Sequence, residues 1–335
     1  MRYSLAYRNG RGNTGGEGMG AMRIGIVGLG AIGGWAGARL ALGGHAVSAL
    51  MRGGSTADSS PLRLVEDGRE EAAAIRRSGD ADALGVQDVL LIAVKAPALA
   101  EAAERAGPMI GPKTLIVPML NGVPWWFAGG ERILSVDPDG RIAAALSLEQ
   151  VVGCVVHAAV ERRGDGAVVV RQSNGIRLGE PGGGASARVE ALVAMVAAAG
   201  IAASVEPDIR RTIWYKLWGN MTFNPVSALT LATTDRILGS ELVPFVLACM
   251  GEAAAIGAAV GCPIAESGEE RLVVTARLGA FRTSMLQDVK AGRAIELEAL
   301  VGAPRELARR AGVTCPNIDA LYALTRLMAE SRRLV

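Results

Sequence analysis

A short apolar strand that leads into a glycine turn and then a helix restricts the fold of this chain more than any other feature. Residues 24–27 form the strand, residues 28–33 read Gly-Leu-Gly-Ala-Ile-Gly, and residues 34–42 are small and apolar enough for a buried helix. Residues 45–51 read as a second strand. The order strand, glycine turn, helix and strand is typical of the opening unit of a dinucleotide-binding α/β fold.

The three glycines of this turn have a clear physical use when a dinucleotide is the ligand. Glycine permits the tight turn and the close approach of the backbone to a pyrophosphate, and the N-terminus of the following helix faces that negative charge. The alternative is a glycine-rich turn without a ligand, in a chain that has 44 glycines. We predict that the whole turn contacts the cofactor: Gly28, Leu29, Gly30, Ala31, Ile32 and Gly33.

The end of the second strand indicates which cofactor is bound. Sites for NAD usually place an acidic residue here, where it binds the ribose 2′-hydroxyl. This chain has Met51 and Arg52 followed by Gly-Gly-Ser, with no acid. Because a guanidinium can hold a 2′-phosphate through charge-assisted hydrogen bonds, Arg52 predicts NADP(H). An ordinary solvated loop arginine is the alternative.

Composition excludes several other classes of protein. The 35 basic and 33 acidic residues give a net charge of +2, which does not favour nucleic acid as a partner. Two histidines and four cysteines without a C-x-x-C pair predict no metal site, and the cysteines are expected to be buried thiols. No apolar run reaches the roughly 18–20 residues that span a bilayer. We therefore predict a cytoplasmic protein without membrane or nucleic-acid partners.

The pattern divides the chain into three parts. Residues 1–21 are rich in Gly and Arg and have no apolar stretch, which predicts a disordered leader or an upstream start-site artefact. Residues 22–206 show the strand patterns of a dinucleotide-binding domain, and residues 207–335 are predicted to form an all-helical second domain. Its long apolar helices could provide a homodimer interface.

Within these parts the apolar patterns predict individual elements. Residues 88–94 and 114–118 are apolar runs typical of strands buried on both faces, residues 97–106 read as a helix, and residues 151–178 form a hairpin around Gly-Asp-Gly. Further helices are predicted at 186–199, 209–223, 243–260, 266–291 and 296–311.

Two polar groups follow strands of the predicted parallel sheet. Lys95 ends the run DVLLIAV, and Asn121-Gly122 follows the strand TLIVP. Since ligands bind at the carboxyl ends of parallel strands, both side chains are candidates for contact with the cofactor. The alternatives are a lysine that extends to solvent and a simple Asn-Gly turn.

A polar stripe on an otherwise apolar helix is the most informative segment. Lys216, Asn220 and Asn224 are four residues apart and share one helical face, while the other faces carry Trp, Leu and Met. Asparagine is a poor helix former, so two at this spacing indicate a hydrogen-bonding use. Ser284 and Glu296 lie further on, and their spacing requires a bend near Gly292. On local grounds alone these two could be ordinary surface residues.

These segments together resemble the ketopantoate reductase family (2-dehydropantoate 2-reductase). The resemblance covers nearly all of residues 22–330, and its motifs occur in the family order. They are the glycine turn, V-K-A at Lys95, N-G at Asn121, the hairpin HAAVERRGDGAVVV, N-G-I at Asn174, K-L-x-x-N-x-x-x-N-P at Lys216, and S-M-L-Q-D with a following Glu at Ser284 and Glu296.

The resemblance implies a fold and an activity. The fold is an N-terminal Rossmann-type domain with an all-α C-terminal domain like that of 6-phosphogluconate dehydrogenase, and the active site lies in the cleft between them. The activity is NADPH-dependent reduction of a 2-oxo acid to a 2-hydroxy acid, with ketopantoate as the simplest substrate. A protonated lysine can supply the proton to the developing alkoxide, so no histidine is required.

The resemblance also implies roles for residues. Lys216 is the proton donor, Glu296 closes the site beside substrate and cofactor, and Asn121 contacts both. The remaining implied contacts are Asn220, Asn224 and Ser284 for the substrate and Lys95 and Ala159 for the cofactor.

Two departures leave the substrate open. Thr234 stands where several family members have a further substrate-contacting Asn, and Trp125 and Trp126 follow the Asn-Gly turn, where small or polar residues are common. All five tryptophans lie beside proposed site motifs, either to shape the pocket or as packing anchors. The alternatives to ketopantoate reduction are a reductase for another carbonyl substrate and a non-catalytic NADPH sensor, which need not retain Lys216 and Glu296.

Overall fold

The strands of the chain form two sheets. The computed structural model describes residues 20–52 and 60–335, so the expectation for residues 1–21 falls almost entirely outside the described part. In chain order the strands are β1 (Arg23–Val27), β2 (Ala46–Leu50), β3 (Leu62–Glu66), β4 (Arg69–Ala73), β5 (Arg76–Ser78), β6 (Val89–Ile92), β7 (Leu115–Pro118), β8 (Gly153–Arg162), β9 (Val168–Gly179) and β10 (Ala203–Val205).

The first sheet is parallel and has the order β5-β2-β1-β6-β7. Its central strands β1 and β6 are almost wholly buried, as expected for apolar runs covered on both faces. Because all five strands run in the same direction, the glycine turn after β1, Arg52 after β2, Lys95 after β6 and Asn121 after β7 lie at one edge.

The second sheet was not anticipated from the sequence beyond its hairpin. It has the order β10-β9-β3-β4, with β8 pairing antiparallel to β9. The short strands β3 and β4 contain Arg and Glu at half-buried or exposed positions, so their apolar pattern is too weak to predict them. Bulges interrupt the pairing of β8 with β9 near His157 and Ala159, which redirects side chains on this strand.

The helices cover the first sheet and then form a separate layer. The helices of the first domain are α1 (Ala31–Leu42), α2 (Ala81–Leu84), α3 (Leu99–Arg105), α4 (Arg141–Ala145) and α5 (Ala187–Ala198). Those after the last strand are α6 (Ile209–Thr230), α7 (Thr234–Leu238), α8 (Val243–Ala259), α9 (Gly268–Ala276), α10 (Ser284–Lys290), α11 (Ala303–Arg310) and α12 (Pro316–Ser331). The predicted fold class, an α/β Rossmann-type domain followed by a helical domain, is confirmed.

Two predicted helices differ from the structure. The helix predicted at 209–223 continues as α6 to Thr230, through Pro225, because most of its residues from Leu217 to Ala228 are buried and tertiary packing outweighs the cost of an internal proline. The single helix predicted at 266–291 is wrong. Residues 277–283 separate α9 from α10 there, and the Thr283 side chain caps the new start.

Four of the five tryptophans belong to the apolar cluster that joins the two layers, whereas Trp35 belongs to a cluster within the first domain. All five are buried. The indole nitrogens of Trp214 and Trp218 donate to backbone carbonyls of α8 at 3.1 and 2.9 Å, and the ring of Phe127 lies 5.8 Å from that of Trp214. Trp125 and Trp126 belong to the same apolar cluster. The structure therefore supports the interpretation that they are packing anchors.

Two glycines of α8 provide a test of this packing. A Cβ added at Gly257 would lie 2.3 Å from Nε1 of Trp214 and 2.7 Å from the carbonyl oxygen of Cys262, whereas one added at Gly251 would meet nothing within 4 Å. We expect Gly257→Ala to lower the free energy of unfolding by about 1–3 kcal/mol and Gly251→Ala to raise it by about 0.4–1 kcal/mol. Urea denaturation followed by circular dichroism measures both, and equal effects would contradict the packing.

Candidate active site

The glycine turn has the geometry of a pyrophosphate cradle. Gly28 has φ +98°, and a Cβ at Gly33 would lie 2.1 Å from the carbonyl oxygen of Gly28, so both positions require glycine. A Cβ at Gly30 would enter open space. Helix α1 starts here without a side-chain cap or an acidic residue in its first turn, so its first N–H groups face that space and can bind an anion.

The remaining residues of the turn and the end of β2 frame this cradle. Leu29 is buried, while Ala31 and Ile32 are half-buried in the first turn of α1. Arg52 is exposed directly after β2, the strand that pairs with β1. Residues 53–59, which follow it, lie outside the described part. The position of Arg52 fits the predicted contact with a 2′-phosphate.

The ammonium of Lys216 lies between the two domains. Helix α6 brings its Nζ within 2.9 Å of Oδ1 of Asn121, at the edge of the parallel sheet, and within 2.7 Å of the carbonyl oxygen of Val156 on β8. Part of the side chain stays exposed in the cleft, whereas the ammonium is surrounded by protein. Since an ammonium has three donors, two hydrogen bonds leave one N–H for another acceptor.

The Asn-Gly turn is held against the helical domain. Gly122 has φ +84°, and a Cβ there would lie 2.4 Å from the carbonyl oxygen of Ala299. The backbone N–H of Val123 donates to that same oxygen at 2.8 Å. The turn is therefore both a local glycine turn and a docking point that places the Asn121 side chain against Lys216.

Glu296 completes a chain of contacts with Asn121. Its Oε1 accepts a hydrogen bond from the backbone N–H of Ala96 at 3.1 Å, and its carboxyl also interacts with the Asn121 side chain. Burial raises the pKa of Glu296, and these hydrogen bonds oppose that effect. A π-helical turn, Glu298–Gly302, follows and continues into α11, a form often found at functional sites.

The surroundings of Lys216 favour a role as an acid near neutral pH. Burial lowers the pKa of Lys216 to about 8 from its ordinary value of 10.5, and the nearby Glu296 opposes this shift. His157 on β8 is poorly suited to be the proton donor, because burial lowers its pKa to about 4. A protonated lysine and a neutral imidazole are therefore the expected forms at pH 7.

The polar stripe of α6 faces the start of α10. Nδ2 of the buried Asn224 lies 3.4 Å from Oγ of Ser284, the first residue of α10. Asn220 is half-buried between Lys216 and Asn224, and no residue in the described ranges hydrogen bonds to its side chain. The predicted stripe thus forms one wall of the cleft, with amide and hydroxyl groups suited to a carboxylate.

Lys95 forms an ion pair that the sequence did not indicate, and its contact with the cofactor stays a prediction. Its ammonium forms an ion pair with the carboxylate of Asp288 on α10, and Arg293 contacts the same carboxylate at 3.0 Å. Asp288 is buried, with 5% of its side chain exposed. This ion pair joins the end of β6 to the helical domain. It could not be predicted from the spacing of residues within either segment.

Strand β8 contributes one residue to the cleft that the sequence predicted and two that it did not. Ala159 is half-buried on β8, three residues beyond Val156, and its contact with the cofactor stays a prediction. The carbonyl of Val156 had no sequence signal, because any residue has one. Arg162, at the end of β8, donates to the carbonyl oxygen of Leu29 in the glycine turn.

The residues that depart from the family pattern, Thr234 and the pair Trp125 and Trp126, have structural roles in this chain. The hydroxyl of Thr234 donates to the carbonyl oxygen of Gly279 at 2.7 Å, which ties α7 to the segment after α9. Trp125 and Trp126 point into the core rather than the cleft. The suggestion that this tryptophan pair reshapes the pocket directly is therefore wrong.

Grouped metal-ligand side chains and membrane-spanning helices are both lacking in the part of the chain that the structure describes. Within residues 20–52 and 60–335, no three His, Cys, Asp or Glu side chains are grouped as metal ligands. Among the helices described, none is both long and apolar enough to cross a membrane. Cys154, Cys249, Cys262 and Cys315 are free and buried, as predicted.

Comparison with known proteins identifies the family. The family model described as ketopantoate reductase PanE/ApbA matches residues 24–183, and that of its C-terminal part matches residues 208–329. The 2-dehydropantoate 2-reductase of Mesorhizobium japonicum is 40% identical over 322 residues, which is 93% of this chain and 99% of the relative.

Solved structures agree with this match. A protein of Ralstonia solanacearum, solved as a candidate ketopantoate reductase, is 48% identical with a TM-score of 0.88, covering 94% of this chain and all of that one. The 2-dehydropantoate 2-reductase of Geobacter metallireducens is 26% identical with a TM-score of 0.81, covering 92% of this chain and all of its own. With its Rossmann-type sheet, its helical domain and Lys216 in the cleft between them, the chain is an oxidoreductase of the ketopantoate reductase family.

Proposed function

We propose that this protein is an NADP(H)-dependent reductase that converts 2-dehydropantoate to pantoate, with Lys216 as the proton donor. The observation that carries the proposal is the arrangement at Lys216 Nζ, where two hydrogen bonds leave one N–H without an acceptor, beside a small cavity that Asn121 and Asn220 also line. The named activities of the relatives from Mesorhizobium and Geobacter support the choice of substrate.

In the proposed reaction the chain positions the substrate and supplies the proton. When bound, the nicotinamide supplies the hydride to the keto carbon. Lys216 hydrogen bonds to the keto oxygen, stabilises the negative charge that develops there and transfers its proton, which gives the hydroxyl of the product.

The wall of α6 and α10 provides groups for the substrate carboxylate. The free side chain of Asn220 and the Asn224 and Ser284 pair present N–H and O–H donors along one side of Lys216. Asn121 and Glu296 act on the other side. Asn121 fixes the direction of the ammonium, and Glu296 places negative charge where it favours a protonated lysine.

The oligomeric state stays a prediction. The helical domain exposes Val273, Leu278, Leu324 and Leu327, each more than half exposed. Apolar side chains of this kind, on α9, in the turn after it and on α12, are compatible with the expected homodimer.

A panel of 2-oxo acids tests the substrate and Lys216 together. We expect NADPH oxidation with 2-dehydropantoate at a higher kcat/KM than with other 2-oxo acids. Lys216→Ala should lower kcat by at least about 100-fold, since general acid catalysis contributes about 10²–10⁴, while NADPH binding, measured by fluorescence titration, is retained. Lys113→Ala, at an exposed turn, is the control.

Preference for another carbonyl compound would reassign the substrate, and unchanged turnover in Lys216→Ala would remove the lysine from the mechanism.

The pH dependence of the reduction reports the lysine directly. Because the reaction needs the protonated amine and burial lowers the pKa of Lys216 to about 8, kcat/KM should be constant below that pH and fall as pH rises through it. Glu296→Gln removes a negative charge that raises this pKa, so the descending limb should move to lower pH. A limb near pH 10.5, or one that Glu296→Gln does not move, argues against this assignment.

Cofactor preference tests Arg52. Arg52→Gln should weaken NADPH binding about 10- to 100-fold, the value of a charge-assisted hydrogen bond, and leave NADH binding unchanged. The matched control is Arg69→Gln, at the exposed start of β4. If the unaltered protein prefers NADH, or if both cofactors weaken equally, Arg52 does not bind the 2′-phosphate.

A further inference from the structure

A strongly basic groove lies between the β8–β9 hairpin and the helical domain. It has a volume of about 470 Å³. The end of β8 and the turn after it form one side, and α10 with the residues around it forms the other. Its charged lining consists of Arg162, Arg163, Arg282, Lys290 and Arg293, with Glu161 as the acidic member.

The positive charge of this groove is only partly compensated. Glu161 pairs with Arg171, which lies outside the groove, and Arg163 pairs with Asp165 at 3.0 Å. Arg293 shares the carboxylate of Asp288 with Lys95. In the part of the chain that the structure describes, no carboxylate pairs with Arg282 or Lys290. Several unneutralised cations around one concave surface favour an anionic ligand.

Arg162 connects the groove to the glycine turn. Its guanidinium donates to the carbonyl oxygen of Leu29, between Gly28 and Gly30. This acceptor is neutral, and a phosphate oxygen at the same edge would be a charged and stronger acceptor. The guanidinium therefore lies within reach of whatever anion binds at the N-terminus of α1.

Distance along β8 separates the groove from the reacting centre. Lys216 contacts Val156, and Arg162 is six residues further along the strand, which corresponds to roughly 20 Å at about 3.3 Å per residue. A small 2-oxo acid held at Lys216 cannot reach that far. A dinucleotide that extends from Lys216 past the glycine turn can.

We infer that the groove binds phosphate of the dinucleotide and that Arg162, Arg282 and Lys290 are cofactor-positioning residues. The inference rests on the proposed function. The N-terminus of α1 approaches the phosphates from the sheet, and the groove approaches them with side chains of the hairpin and the helical domain. The contact of Arg162 with Leu29 assigns the pyrophosphate, rather than the 2′-phosphate beside Arg52, to the groove.

Cofactor binding without substrate tests this assignment. Fluorescence titration gives the Kd for NADPH and for NADH in Arg162→Gln and in the double variant Arg282→Gln with Lys290→Gln. We expect both cofactors to weaken by the same factor, on the order of tenfold, and log Kd to depend less steeply on log salt concentration. Arg69→Gln, on strand β4 of the same sheet but outside the groove, should leave both unchanged, and thermal unfolding confirms that each variant is folded.

The outcomes separate the possible sources of phosphate. Equal weakening of NADPH and NADH supports the pyrophosphate, whereas weakening of NADPH alone overturns that assignment in favour of the 2′-phosphate. If the unaltered protein binds both cofactors and the groove variants bind them equally well, this inference fails while the proposed function stands. If the unaltered protein binds neither cofactor, both the proposed function and this inference fail.

Discussion

The Lys216 ammonium is held between a side chain of one domain and a backbone carbonyl of a second sheet, and the cleft is organised around that contact. Asn121 comes from the edge of the parallel sheet, Val156 from β8, and Lys216 from α6. The two hydrogen bonds of Lys216 thus join helix α6 to the edge of the parallel sheet and to β8. A cation without these acceptors would be costly to bury, so their positions decide whether the lysine can stay charged inside the protein.

The other buried charges of the cleft also need partners, and the opposite domain provides them. Glu296 and Asp288 are both buried, and each has partners from the opposite domain: Ala96 and Asn121 for Glu296, and Lys95 for Asp288. Removing one partner of such a pair leaves an uncompensated buried charge. The cross-domain contacts therefore fix the geometry of the cleft as well as the electrostatics at Lys216.

Local signals predicted the parts of the structure that depend on local order. The glycine turn, the parallel strands and the stripe of Lys216, Asn220 and Asn224 follow from spacing within one element. The pairing of Lys95 with Asp288 and the use of the Val156 carbonyl depend on contacts between distant segments, which no spacing encodes. Strands β3 and β4 are too polar to give a clear strand pattern. The break before Ser284 was hidden because Leu278, Phe281 and Met285 continue a helical spacing of apolar residues across it.

The acid role of Lys216 is tested most directly by the titration of its own side chain. The chain has only four lysines, Lys95, Lys113, Lys216 and Lys290, so the ¹³Cε signals of protein labelled at lysine can be resolved, and Lys216→Arg assigns the one that disappears. We expect the Lys216 signal to titrate with a midpoint near pH 8, because its ammonium is buried. A Lys216 midpoint that stays at the ordinary value of 10.5 would contradict the proposed acid role.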